Sequence, residues 1–260
     1  MCADAFFSCL LSLSFLSGIS SVSGAAAGQS GSPGLLNTKI LEIPADLVDA
    51  EINGRGDVFI LRSGSPHLLV HRAEGTVEQY DLQDVSIPGG MYVEGNWGLY
   101  VTCRVTDRIF RFDRTGETSM EWECEELPGD VCLSGLSVIY VSMLDGTVRI
   151  LEESQDLLAR LPDSGDGRLT SSGSNIVYTG EQVSILIREY SAAETLPRVG
   201  PWTAAGSSMA VMRDSCICGY TGEVLFNLPE TAEYDRFSLS PEGTYCILWT
   251  TGGDSMLVLQ

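Results

Sequence analysis

Six copies of one sequence pattern predict that this chain of 260 residues is all-β and forms a six-bladed β-propeller. Each copy contains an Ile-Pro or Leu-Pro pair, then a stretch rich in Gly, Ser and Asp, and then a short apolar run. Successive prolines are 32 to 44 residues apart, a length that suits one four-stranded blade. The main alternative is a parallel β-helix, whose turns are usually shorter. The pairs are Ile43-Pro44, Ile87-Pro88, Leu127-Pro128, Leu161-Pro162, Leu196-Pro197 and Leu228-Pro229.

The apolar runs are expected to be buried strands rather than helices. Each run is about four residues long, is rich in β-branched and aromatic types, and is bounded by turn-forming residues. A second strand with alternating polarity often follows, as in Arg108–Phe112. Residues 154–161 could form one helical turn, but their position in the repeat assigns them to an outer strand. The runs are Val58–Leu61, Leu99–Val101, Val138–Val141, Ile176–Tyr178, Met209–Met212 and Tyr245–Leu248.

The N-terminal end of the repeat region is predicted to close the ring. The sixth repeat, Phe237–Gln260, ends after its third strand. Thr38–Ile43 precedes the first Ile-Pro pair, in the position that outer strands occupy before the other pairs. If this segment is the missing outer strand of the last blade, the ring has no exposed sheet edge.

Residues 1–27 are predicted to be a signal peptide. Phe6–Val22 carries no charge, and small residues follow at Gly24–Ala27. The segment before Phe6 lacks Lys and Arg and contains Asp4, which is unusual for an export signal; a retained N-terminal membrane anchor is the alternative. Residues 28–37 are predicted to be a linker, and residues 38–260 the propeller. The expected location is therefore secreted or periplasmic.

The charge of the chain excludes some partners. The sequence has 15 Lys and Arg against 35 Asp and Glu, for a formal net charge of −20, and 44% of its residues are hydrophobic. This composition is typical of a packed domain. Binding to nucleic acid or to an anionic membrane needs clustered Lys and Arg, so neither is expected. A monomer is expected.

One repeat resembles the NHL type. Gly98–Glu117 has the order of that repeat: a Gly, an apolar strand, a polar turn, a strand centred on Arg-Ile, and then Asp-x-x-Gly. The segment Leu239–Tyr245 resembles the Ser-Pro-Asp-Gly turn of WD-like propellers. The resemblance concerns the fold and includes no catalytic motif.

Some six-bladed propellers of this general type are enzymes. The gluconolactonase-like group holds a divalent metal with carboxylates at the channel mouth, and an NHL-type peptidyl lyase uses His-rich metal sites. This sequence has only His67 and His71. On a strand they would be roughly 13 Å apart, because each residue adds about 3.3 Å, so they cannot share one ion.

Acidic residues follow the apolar run in five of the six repeats, and the first repeat has Ser65 instead. Placed in turns on one rim of a propeller, near the channel mouth, these carboxylates could hold Ca²⁺ through oxygen ligands. The simpler explanation is that Asp is a favoured turn residue. Arg62, Arg104 and Arg213 end three of the same strands and are expected to pair with neighbouring acids. The candidate metal ligands, here called the rim acids, are Asp107, Asp145, Glu181, Asp214 and Asp254.

Six cysteines lie beyond residue 27, and an exported protein with an even number invites a disulfide prediction. Cys124 and Cys132 are the best candidate pair. Cys216 and Cys218 would point to one face of a strand, but a zinc site normally needs a second cysteine pair. Packing between blades is the expected role of the tryptophans.

These observations predict an exported, non-enzymatic scaffold that binds a protein, peptide or glycan on its loop-bearing faces. The one cofactor considered is Ca²⁺ at the rim acids. The alternative is a metal-dependent hydrolase or lyase with a carboxylate site at the channel mouth. An enzyme predicts a few convergent, buried carboxylates with perturbed pKa values, whereas a binding module predicts an exposed aromatic or apolar patch.

Overall fold

The computed structural model describes residues 37–151, 156–162, 166–188, 190, 192–206, 208–229 and 234–260. The predicted signal peptide and residues 28–36 of the predicted linker lie outside the described residues. Within the described ranges the regular structure consists of 24 β-strands. No helix in those ranges is long and apolar enough to cross a membrane.

The strands form six antiparallel four-stranded sheets, so the prediction of a six-bladed propeller is confirmed. Blade 1 contains β2 (Leu47–Ile52), β3 (Val58–Arg62), β4 (Leu68–His71) and β5 (Val77–Tyr80). Blade 2 contains β6 (Pro88–Glu94), β7 (Gly98–Cys103), β8 (Arg108–Phe112) and β9 (Thr118–Glu123). Blade 3 contains β10 (Pro128–Ser134), β11 (Ser137–Ser142), β12 (Thr147–Leu151) and β13 (Leu157–Arg160). Blade 4 contains β14 (Arg168–Ser172), β15 (Asn175–Thr179), β16 (Ser184–Arg188) and β17 (Ala192–Thr195). Blade 5 contains β18 (Trp202–Ala205), β19 (Ser208–Arg213), β20 (Cys216–Gly219) and β21 (Val224–Asn227). Blade 6 contains β22 (Arg236–Leu239), β23 (Cys246–Trp249), β24 (Ser255–Leu259) and β1 (Thr38–Glu42).

The last blade is completed by the first strand, as the sequence predicts. β1 pairs antiparallel with β24, from Thr38 opposite Leu259 to Glu42 opposite Ser255. The segment that could have been a helical turn contains β13, an outer strand paired with β12.

The first strand of each blade lines the centre of the ring. These inner strands contact one another in order from β2 to β22, and β22 contacts β2. Because the strands of a blade are antiparallel neighbours, the turns between second and third strands lie on the face where the inner strands begin. We call this the entry face.

The six apolar runs form the second strands and are the most buried parts of the blades. β11 and β23 are almost completely buried, whereas the outer strand β5 is largely accessible. The core lies between blades: Phe59 of blade 1 packs in one cluster with Leu99 of blade 2. Trp97 joins the same interface, with its ring centre 5.5 Å from that of Phe59 and 4.9 Å from that of Tyr80. Burial of this apolar surface fixes the position of each blade beside the next.

Candidate active site

The rim acids lie in the turns between second and third strands on the entry face, and each of the five is exposed. None of them lines the cavity at the mouth of the channel. Among the described residues, no three His, Cys, Asp or Glu side chains are close enough together to hold a metal ion. The rim acids therefore do not share one centre, and Ca²⁺ binding at any of them stays a prediction.

Asp145 shows how a rim acid is used within its own turn. Its carboxylate accepts hydrogen bonds from Thr147, from the backbone N–H at 3.1 Å and from Oγ1 at 2.5 Å. Burial opposes ionisation, but these bonds and others from Ser142 and Arg149 lower the pKa of Asp145 to about 2. An acid that bonds its own turn in this way stabilises the turn.

The three arginines that follow or end the second strands differ in their partners. Arg62 Nε donates to Asp46 Oδ1 at 2.9 Å, so this arginine pairs with an acid as expected. Arg104 instead donates from Nη2 to the backbone oxygen of Gly89 at 3.3 Å. The Arg213 side chain is exposed and forms no ion pair with a described residue.

A cavity of about 380 Å³ occupies the channel mouth on the entry face. Its walls come from the first residues of several inner strands and from the turns beside them. The apolar part of the lining includes Leu47, Ile87 and Trp249. The charged residues of the lining are Asp49, Asp130, Asp166, Arg104, Arg168 and Arg236.

Arg168 crosses the floor of this mouth cavity. It begins β14 in blade 4 and donates from Nη1 to Phe237 O in blade 6 at 2.6 Å. Its Nη2 donates to Ala50 O at 2.8 Å and to Glu51 Oε1 at 2.5 Å, both in blade 1. Its Nε lies 3.5 Å from Asp49 Oδ1. One buried guanidinium thus joins three blades across the channel.

Two buried aspartates lie beside this guanidinium at bulges in the inner strands β2 and β10. Asp49 accepts the N–H of the next residue at 2.8 Å and the N–H of Met91 in blade 2 at 3.2 Å. Asp130 accepts the N–H of its next residue at 2.8 Å and the N–H of Leu169 in blade 4 at 2.7 Å. Each carboxylate therefore connects its own inner strand to the inner strand of a following blade.

The inner strand between them, β6, uses glycine where its neighbours have aspartate. A Cβ on Gly90 would collide with the Asp130 carboxylate, so the small residue leaves room for that side chain. Thr102 takes over the connection: its Oγ1 accepts the Gly90 N–H and donates to Gly129 O, each at 2.9 Å. Blades 2 and 3 are thus joined through a neutral hydroxyl.

Burial changes the ionisation of this group, which we call the Arg168 cluster (Asp49, Glu51, Asp130 and Arg168). Burial raises the pKa of Asp130 well above its ordinary value, and the nearby charge of Asp49 raises it further. Burial also raises the pKa of Glu51, against the attraction of Arg168. Burial opposes the charge of Arg168, but the three carboxylates hold its pKa above the ordinary value. The cluster combines a permanent cation with two carboxyl groups, those of Glu51 and Asp130, that keep protons to higher pH than they would in water.

The carboxylates of the Arg168 cluster do not fit a divalent metal of the kind found in gluconolactonase-like propellers. Every oxygen of Asp49 and Asp130 is within 3.2 Å of a backbone N–H donor. The Glu51 oxygens accept bonds from Arg168 and from Ser238 Oγ. The Arg168 guanidinium already lies among these carboxylates as their cation.

Sequence reasoning missed the Arg168 cluster because it considered acids in turns only. The available signal was a charged residue inside an inner strand, as in the segments Leu47–Ile52 and Pro128–Ser134. Buried charge is rare in strands unless it is paired, so a charged residue in an inner strand indicates a paired cluster at the channel.

The cysteines correct another prediction. Cys124 and Cys132, the best candidate disulfide pair, are both free and buried. Cys124 packs between blades 2 and 3, whereas Cys132 packs between blades 3 and 4, so their side chains face different interfaces. Burial raises the pKa of Cys124 to about 12. Cys216 and Cys218 do share one strand face, as predicted, with their Sγ atoms 3.2 Å apart.

Solved structures similar to this chain are β-propellers. A virginiamycin B lyase from Staphylococcus aureus matches with a TM-score of 0.58 at 11% identity, covering 86% of this chain and 99% of the lyase. A gluconolactonase from Xanthomonas campestris matches with a TM-score of 0.57 at 12% identity, covering 86% and 90%. The WD40 domain of Neurospora crassa Pan2 matches with a TM-score of 0.53 at 14% identity, covering 84% and 76%. No family model matches the sequence, and no curated protein matches it significantly. At these identities the likeness establishes the fold.

The prediction of a non-enzymatic binding scaffold is wrong on this comparison. The similar solved structures include proteins named as virginiamycin B lyases and gluconolactonases, which stands against a scaffold without chemistry. The scaffold prediction failed because the acids that converge do so only in the folded channel, and the sequence patterns do not show that convergence. The structure brings Asp49, Glu51 and Asp130 together in a buried site.

Proposed function

We propose that this protein is an enzyme of the hydrolase or lyase class that acts on a small molecule in the mouth cavity. The observation that carries the proposal is the Arg168 cluster, in which Glu51 and Asp130, two buried carboxyl groups with raised pKa values, share one site with a guanidinium beside a cavity. Perturbed carboxyl groups concentrated in a cleft are typical of acid–base catalysis. A cavity of about 380 Å³ is of the size that holds small-molecule ligands.

The three residues of the cluster that line the cavity have different chemical capacities. Asp130 holds a proton at higher pH than an ordinary carboxyl group and is the general acid. Asp49, which lies beside the guanidinium, is the general base. Arg168 supplies fixed positive charge where an oxyanion would develop, and fixed charge in a water-poor site stabilises a transition state strongly. Glu51, which does not line the cavity, accepts a hydrogen bond from Arg168 and holds it in place.

The reaction that uses these capacities most directly is the opening of a lactone or ester by water. Asp49 takes one proton from water while the water oxygen bonds to the carbonyl carbon. Arg168 stabilises the oxyanion that forms. The carbon–oxygen bond to the leaving alkoxide then breaks, and Asp130 gives that oxygen its proton. The products are a carboxylic acid and an alcohol. The name of one similar protein, a gluconolactonase, supports a lactone as the first substrate class to test.

The test is a panel of lactones, aryl esters and quinupristin, assayed with the purified chain by pH-stat and by mass spectrometry. We expect turnover of at least one cyclic or aryl ester. Asp130→Asn keeps the side-chain size but removes the proton, so it should lower kcat by about 100-fold or more, the usual effect of losing a general acid.

Thr102→Val is the matched control. It removes a blade-to-blade hydrogen bond of the same kind, but the lost group does not titrate and does not line the cavity. Since the Gly90 N–H and Gly129 O both lose this partner, we expect a stability loss of about 2 kcal/mol with kcat within a few-fold of the parent value. Equal loss of activity in the two variants would show that Asp130 acts only through the fold and would overturn the proposed role.

A further inference from the structure

Two arginines at the mouth cavity lack the acidic partners that other arginines of this chain have. Arg72, Arg149 and Arg188 each form an ion pair. Arg104 and Arg236 line the mouth cavity, and neither forms an ion pair with a described residue. Arg55, Arg114, Arg160, Arg198 and Arg213 also form no ion pair with a described residue. What distinguishes Arg104 and Arg236 is that both line one cavity.

Arg104 is held in place without being neutralised. Its Nη2 donates to Gly89 O at 3.3 Å, and its Nε is buried without a hydrogen-bond partner among the described residues. A Cβ on Gly89 would lie 3.0 Å from that Nε, so glycine lets the side chain lie against the inner strand. A buried donor without a partner is costly unless a ligand or water completes it.

Arg168 presents a second donor of the same kind. Its side chain is 91% buried, since its exposed fraction is 9%, and it lines the mouth cavity. Its Nε also lacks a hydrogen-bond partner, at 3.5 Å from the nearest Asp49 oxygen. Arg236, at the start of β22, is partly exposed and adds a third guanidinium to the lining. The apolar wall beside these donors includes Ile87, Pro88 and Trp249.

We infer that the mouth cavity recognises a carboxylate on its substrate, held by Arg104 and Arg236 with a short apolar segment against the wall. This inference rests on the proposed function, because it names the substrate class of the same site. Guanidinium groups present donors in a planar fork that matches a carboxylate or a phosphate. The raised pKa of Asp130 supports this inference, because Asp130 repels a bound anion less whenever it holds its proton.

The net charge favours a carboxylate over a phosphate. The chain carries a formal charge of −20, so every approaching anion is repelled until it reaches the guanidiniums. A dianion is repelled about twice as strongly as a monoanion at the same distance. The guanidiniums also attract a dianion about twice as strongly, so the net charge favours the monocarboxylate during its approach and not at contact.

Binding of simple probes tests this without any need for turnover. Isothermal titration at constant ionic strength compares hexanoate, hexan-1-ol and hexyl phosphate, which share an apolar tail and differ in the head group. We expect hexanoate to bind with a Kd of about 1 mM, a value usual for a fragment of this size, and hexan-1-ol at least tenfold more weakly. Arg104→Gln and Arg236→Gln should each weaken hexanoate binding about tenfold.

The control is Arg213→Gln, which changes the arginine that ends the second strand of blade 5, away from the mouth cavity. It should bind hexanoate like the parent protein. Asp130→Asn should also bind hexanoate while losing turnover, so failure of the acid–base proposal and failure of this inference give different results. Four results would each overturn the carboxylate assignment. They are no detectable hexanoate binding, equal binding of hexan-1-ol and hexanoate, tighter binding of hexyl phosphate than of hexanoate, and unchanged hexanoate binding in both Arg104→Gln and Arg236→Gln.

Discussion

Removal of the Arg168 guanidinium should destabilise the ring more than the loss of any surface ion pair. Arg168→Met keeps much of the apolar stem but removes the hydrogen bonds to Phe237, Ala50 and Glu51. It also leaves Glu51 and Asp49 buried without their cation. Breaking one partner of a buried ion pair costs 3–5 kcal/mol, so we expect about 4 kcal/mol. With a urea slope near ~2.5 kcal/mol/M for a domain of this size, the midpoint should fall by roughly 1.5 M.

The pH dependence of this loss distinguishes an uncompensated charge from lost packing. Without Arg168, the folded-state pKa of Glu51 rises further above its unfolded value. An acid with a raised folded pKa binds more protons when folded, so unfolding free energy falls as pH rises through the window between the two values. Arg168→Met should therefore be less destabilising at pH 5 than at pH 7.5. Glu51→Gln in the same chain should recover about 2 kcal/mol at pH 7.5.

Urea unfolding followed by circular dichroism at both pH values measures these differences. Arg188→Met is the control, because it breaks an exposed ion pair with Glu194 at 2.6 Å. We expect a change below about 1 kcal/mol there, with little dependence on pH. A loss below about 1 kcal/mol for Arg168→Met, or an equal loss at pH 5 and 7.5, would refute the account of the Arg168 cluster.

Further expectations concern other parts of the molecule. Because the pKa of Asp130 is raised in the folded state, the unfolding free energy of the parent protein should fall as pH rises above the ordinary carboxyl range. Urea titrations of Asp130→Asn should show a smaller dependence on pH. Cys216 is partly exposed, and its Sγ lies 3.2 Å from that of Cys218. Ellman's reagent should therefore release two equivalents of its thiolate, because Cys218 can displace the second from the mixed disulfide on Cys216. Cys218→Ser should reduce the yield to one. Thermal melts with Ca²⁺ should show no shift if the rim acids are turn residues, whereas binding at 100-fold above Kd would stabilise by about 2.7 kcal/mol. Mass spectrometry of exported protein should find an N-terminus near residue 28 if residues 1–27 are a cleaved signal.

The fold could be predicted because its evidence is local. A strand such as Val138–Val141 shows its β-branched and aromatic composition directly, and the turn residues around it set the repeat length. Ring closure could be predicted by counting strands. The sixth repeat lacks its outer strand, and the strand that begins at Thr38 belongs to no other blade. These features need no knowledge of contacts between distant residues.

The site could not be predicted in the same way because its evidence is not local. Arg168 meets Ala50 and Glu51 across 118 and 117 residues of sequence, and only the closed ring brings them together. The position of Asp130 also depends on a strand bulge and on the absence of a side chain at Gly90. A repeat pattern shows neither condition, because both arise when inner strands converge on the channel.

The neutral connections elsewhere in the ring support the proposal that the Arg168 cluster serves chemistry rather than closure. Thr102 joins blades 2 and 3 through its hydroxyl, and Thr170 Oγ1 accepts the Ala204 N–H of blade 5 at 3.0 Å. Thr179 Oγ1 donates to Trp202 O at 2.8 Å between the same two blades. Since hydroxyl groups make such connections without a desolvated charge, closing the ring does not require buried acids and a guanidinium. Buried ion pairs often stabilise a fold no more than apolar side chains of similar volume would. Their concentration at the floor of a cavity therefore supports the proposal that they act on a bound molecule.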